Sequence, residues 1–139
     1  MSDYIYTWRM EHARILDILT QTIKLGISNR TGQMKLQELK KALESHLTNE
    51  DLNLYPVLRK AAETDVNLRR ELFLFAADMD QITMEIKAFF RKEERDPMSR
   101  DLAAEFHKIS GAIRSRIARE ESLLIKELEK LAAPQHSTL

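Results

Sequence analysis

Cysteine is absent from the sequence, which excludes disulfides and thiolate metal sites and leaves imidazole, carboxylate and weaker oxygen or sulfur donors as ligands. Glycine and proline number three each, too few turn formers for a many-stranded protein and well suited to long helices. An excess of charge of one sign is also missing. Lysine plus arginine and aspartate plus glutamate are both 22, so no overall field draws the chain to nucleic acid or to an anionic membrane. No apolar run approaches the ~20 residues of a membrane span. The segment from Met1 to Trp8 lacks the basic-then-apolar order of an export signal. These absences predict a soluble, cytoplasmic protein with neither nucleic acid nor membrane as partner.

What is present is a chain of 139 residues, 43% hydrophobic and 32% charged, enough for one buried core and one domain. Its apolar residues recur at spacings of three and four, the period of a helix with one buried face. Ser2 or Asp3 can cap a first helix through Ile5, Trp8, Ile15, Leu16, Leu19 and Ile23, ended by Gly26, with His12 inside the stripe. After a turn at 28–32, Leu36, Leu39, Leu43, Leu54 and Val57 mark a second seam, continued between Leu43 and Leu54 by His46 and Glu50. Pro56 requires that helix to kink or stop nearby.

A third seam follows Asp65 through Leu68, Leu72, Phe75, Met79, Ile82, Ile86 and Phe89. Asp96 and Pro97 read as the cap and first residue of a fourth helix through Leu102, Phe106, Ile109, Ile113, Ile117, Leu124, Leu128 and Leu131. Glu120 lies on that last seam and Arg116 at its edge. Together the seams predict an all-α, up-down-up-down four-helix bundle over residues 1–132, with a flexible tail at 133–139.

The seams also place His12, His46, Glu50 and Glu120 in the interior, where an unpartnered carboxylate costs several kcal/mol or takes up a proton. A divalent cation is an economical partner, since two imidazoles with carboxylates form a set suited to iron or manganese. His107 reads as solvent-facing, His136 falls in the tail, and Asp78, Asp80 and Glu85 flank the third seam without joining it. The run Leu72–Ala77 is apolar all round, which one buried seam does not require, and leaves open a homodimer through the outer side of the third helix.

Three stretches resemble the hemerythrin HHE domain: Glu11-His12-Ala13-Arg14-Ile15-Leu16; His46-Leu47-Thr48-Asn49-Glu50, continuing to Tyr55-Pro56; and Arg116-Ile117-Ala118-Arg119-Glu120-Glu121. The second is similar to the family's HxxxE segment ending in an aromatic residue and proline. The resemblance implies a bundle whose facing helices hold two irons through histidines and bridging carboxylates. It assigns His12, His46, Glu50 and Glu120 to one iron, with Glu121 as rival to Glu120. The histidines expected for the other iron fall at Met79, Thr83 and Arg116, none of them a histidine.

The expectation is therefore a partial site holding one iron for sensing, storage or binding of a small ligand such as a diatomic molecule. The alternative is a metal-free interaction module in which Arg116 supplies the lost positive charge. A full diiron centre is the least expected. An enzyme ranks behind both leading readings, because neither a separate acid–base constellation nor a phosphate loop accompanies the site.

Overall fold

The computed structural model describes residues 2–132; the tail expected at 133–139, with His136, lies outside the described residues. The chain forms α1 (Ser2–Leu25), α2 (Arg30–Asn49), a π-helical turn (Glu50–Leu54), α3 (Tyr55–Ala62), α4 (Val66–Arg95) and α5 (Arg100–Ala132), and no strand among the described residues. Backbone angles stay helical from α2 through the π turn into α3. Those three pieces serve as the second rod of the all-α, four-helix bundle, with α1 packed on α2 and α5, and α4 on α3 and α5.

The ends of the rods follow from short polar and glycine signals. Gly26, at φ 75°, closes α1 in the left-handed region that favours glycine. Asn29 caps α2 by accepting the Gly32 N–H at 2.8 Å. Gly32 has no room for a side chain: a Cβ there would lie 1.6 Å from the Gly26 carbonyl oxygen. Asp65 caps α4 through the Leu68 N–H at 3.0 Å.

The start expected for the fourth helix at Asp96–Pro97 is incorrect. Asp96 is the C-cap of α4, its carbonyl accepts the Ser99 N–H at 3.2 Å, and α5 begins at Arg100. Pro97 thus occupies the second position of a tight turn, where its fixed φ serves equally well.

Three seam positions also differ from expectation. Ile23 is 38% exposed and Leu131 48%, the α1 stripe instead running through Ile18 and Thr22, whose hydroxyl bonds back to the Ile18 carbonyl at 2.7 Å. In the second rod Leu58 is buried where Val57 was expected, and Val57 is only half-buried. The cause is the π turn, in which the Tyr55 N–H reaches Glu50 C=O, five residues back. Such a turn accommodates one extra residue and slips the helical phase by about 100°.

The interior is two apolar clusters with a polar layer between them. One cluster, toward the α1–α2 and α4–α5 connections, gathers Leu19, Leu36, Phe89, Phe106 and Ile113; the other gathers Trp8, Leu54, Leu58, Phe75 and Leu128. Ile82 packs against both. On the outside of α4, Phe73 is 75% and Leu74 60% exposed.

Candidate metal centre

The polar layer is built from inward positions on three rods, two of them on the second. His12 follows Trp8 and precedes Ile15 on the buried face of α1; His46 continues Leu39 and Leu43 on α2; Glu50 opens the π turn; Glu120 lies between Ile117 and Leu124 on α5. All four side chains are buried, Glu50 and Glu120 completely. One nitrogen or oxygen from each comes within 4.8 Å of all the others. The structure thus brings together the whole set of residues singled out from the sequence.

The donor atoms face one another at close range. His12 Nε2 lies 3.0 Å from His46 Nε2 and 3.0 Å from Glu120 Oε2, while His46 Nε2 is 3.5 Å from Glu50 Oε2 and 3.7 Å from Glu120 Oε2. On the far side of each ring, Nδ1 meets a carboxylate: Glu121 Oε1 at 2.9 Å from His12 and Glu11 Oε1 at 2.7 Å from His46. With Nδ1–H donated outward, both Nε2 lone pairs point into the same space and need either a shared proton or a cation between them.

The spacing fits a cation. Two ligands about 2.1 Å from one ion, a right angle apart, lie about 3.0 Å from each other. Two imidazoles and two carboxylates are also a suitable set for iron or a related divalent ion. Trp8 donates its indole N–H to Glu50 Oε2 at 3.1 Å, steadying the carboxylate from the apolar side.

The residues that the resemblance assigns to a second ion, Met79, Thr83 and Arg116, are hydrogen-bonded to one another. Arg116, expected at the edge of its seam, is buried, and its guanidinium donates from Nε to Glu120 Oε1 at 2.8 Å and from Nη2 to Glu50 Oε1 at 3.2 Å. Its Nη1 reaches the Thr83 hydroxyl and the Met79 carbonyl. Each carboxylate therefore bridges, one oxygen toward the histidines and the other toward the guanidinium. Met79 and Thr83, where the resemblance places missing histidines, act as acceptors for the third vacant position, Arg116. These residues do not fit a second ion.

The electrostatics follow from burial and this pairing. Burial, reinforced by neighbouring Glu120 and opposed by His46, pushes Glu50 up to about 7. Burial would lower His46, but its hydrogen bonds to Glu120, Glu50 and Glu11 outweigh that and lift it to about 10. Burial likewise acts to raise Glu120, yet the imidazoles, the Glu50 carboxyl and the Arg116 charge hold it well below the usual carboxylate range. The ion-free site is thus a compensated network in which proton and guanidinium supply the positive charge.

Sequence reasoning did not assign site roles to Glu11, Asn49 and Trp8. Asn49 donates to both oxygens of Glu11, at 3.0 and 3.1 Å. The available signal was adjacency, since Glu11 precedes His12 and Glu121 follows Glu120. Glu121, the rival for an inward role, instead sits at the rim, and His107 is exposed.

A family model described as the Hemerythrin HHE cation binding domain matches residues 3–128. Comparison with curated proteins and with solved structures gives no match. The matched span contains all five buried residues of the polar layer, and the family's domain binds metal cations, typically iron. The chain belongs to the hemerythrin HHE cation-binding domain family.

Proposed function

We propose that this domain holds a single iron, or a related divalent ion, at His12, His46, Glu50 and Glu120, and uses it to sense, store or bind a small ligand. The observation that carries the reading is the pair of imidazole Nε2 atoms 3.0 Å apart, each with its other nitrogen against an outer carboxylate. Arg116 limits the site to one ion, because its guanidinium bonds the oxygens of Glu50 and Glu120 that a second ion would need. A cavity of about 10 Å³ lies among Ile15, Leu43, Ile86, His46, Arg116 and Glu120, at the lower bound of what admits one water. That size admits one water at most, and the aliphatic side chains in its lining would keep bulk solvent away.

When bound, the ion supplies Lewis acidity or redox chemistry. The chain's own contributions are to hold the imidazoles, to neutralise the carboxylates through Arg116 and to exclude water. Metal quantification of protein expressed with added iron should give one ion per chain. None, or two, would sink the proposal.

A second reading is favoured by one observation: the Arg116 guanidinium itself supplies positive charge to both buried carboxylates. Under it the bundle is an interaction module, and His46→Ala lowers stability while metal content stays at zero in both proteins. The reducing cytoplasm suits either reading, given the cysteine-free composition. Self-association through the outer side of α4 retains its basis in exposed Phe73 and Leu74; a monomer at every concentration in sedimentation would remove it.

A further inference from the structure

We infer that Glu11 and Glu121 are positioning residues of the ion site, each holding the Nδ1–H of an imidazole on a neighbouring helix so that its Nε2 is presented to the ion. The inference rests on the single-ion reading above.

Its basis is a crossed pattern of braces. Two adjacent pairs, Glu11-His12 and Glu120-Glu121, each send one side chain inward and one to the rim. Glu11 of α1 holds His46 of α2 at 2.7 Å, and Glu121 of α5 holds His12 of α1 at 2.9 Å. Three helices are thereby tied in sequence by their imidazoles.

A carboxylate on Nδ1 selects the tautomer with Nε2 unprotonated, fixes the ring's rotation and makes it a better electron donor toward an ion. Neither glutamate is among the four groups that converge on the ion position. Both reach solvent, with side-chain exposures of 30% for Glu11 and 42% for Glu121.

The two braces are unequal. Glu11 is itself clamped by the Asn49 amide on both oxygens, and Asn49 Oδ1 accepts from Asn53 at 2.7 Å. Glu121 makes no other hydrogen bond or ion pair among the described residues. His12 is further confined by the Trp8 ring, 4.5 Å away between centroids, so it depends less on its carboxylate than His46 does.

The test uses the full chain with cobalt(II) as probe, chelator competition for affinity, and proton NMR of the loaded protein for the paramagnetically shifted, exchangeable imidazole N–H signals. Glu11→Gln keeps an acceptor but removes its charge. It should weaken cobalt binding about 10- to 100-fold, move or lose one shifted N–H signal, and cost the ion-free protein far less than it costs cobalt affinity. Glu121→Gln should weaken binding less, and Asn49→Ala should fall below wild type by loosening Glu11.

Unchanged affinity in both glutamate variants overturns the inference and leaves the single-ion reading standing. Weakened affinity matched by an equal loss of ion-free stability also overturns it, since the glutamates would then be structural. A wild-type chain that takes up no cobalt overturns both.

Discussion

A guanidinium and a metal cation can both neutralise buried carboxylates, and the two differ in what removal does. The guanidinium is fixed to the backbone of α5 and satisfies one oxygen on each of Glu50 and Glu120, whereas an ion can leave. Breaking a buried pair leaves a charge without solvent or partner, at a cost of about 3–5 kcal/mol. Arg116→Met should therefore destabilise the ion-free protein by about 3 kcal/mol, at the lower end because Glu50, at about 7, readily takes a proton in compensation. Urea unfolding with chelator present measures this, and a loss under about 1 kcal/mol would mean that solvent already screens the pair. The inward residues His12, His46, Glu50 and Glu120 were legible in the sequence because each continues an apolar stripe in phase. The inward role of Arg116 was legible too, as a positive charge beside the seam that carries Glu120. The bracing by Glu11 and Glu121 was not, because a glutamate at a stripe's edge reads like any solvated one until the rotation of the neighbouring helix is known.

Among the elements, the second rod shows where periodicity stops being a guide. Leu36 to Glu50 keep one phase and Leu54 to Ala62 another, and the π turn between them is invisible to a count that assumes a constant period. Pro56 signals a disturbance there, since it has no N–H to donate, but it specifies neither the wider turn nor the choice of Leu58 over Val57. The α1–α2 corner is tighter than its composition suggests. A side chain at Gly32 would collide with the Gly26 carbonyl, so Gly32→Ala should cost about 1–3 kcal/mol, read as a fall in melting temperature with helix content retained. Between α2 and α4, Gln37 Nε2 donates to buried Glu93 at 2.6 Å. Burial raises the Glu93 pKa above its ordinary 4.5, partly offset by Lys40. The folded state then binds the proton more tightly than the unfolded state, so ionisation costs stability as pH rises beyond 4.5. Glu93→Gln should be more stable than wild type at pH 7, with the difference vanishing below about pH 4.5; thermal unfolding across that range checks both sign and window.

The molecule as a whole places its polar layer between two apolar clusters, so the state of that layer bears on the cohesion of the entire bundle. Without an ion, α1, α2 and α5 meet there through hydrogen bonds among His12, His46, Glu50, Glu120 and Arg116. With one, the same rods share a single centre that the unfolded chain cannot assemble. Binding to the folded state alone stabilises by mass action, about 2.7 kcal/mol when free ion stands at 100 times Kd. Denaturation under anaerobic iron(II) should therefore shift to higher denaturant by that amount relative to chelator-treated protein. His46→Ala should show little of the shift, having lost an imidazole from the convergent set. Arg116→Met should still show it, since its guanidinium faces the opposite carboxylate oxygens. An equal gain in wild type and His46→Ala would place the ion elsewhere on the chain. Loss of the gain in Arg116→Met, with the protein still folded, would show that the arginine is needed to form the site itself as well as to neutralise its carboxylates.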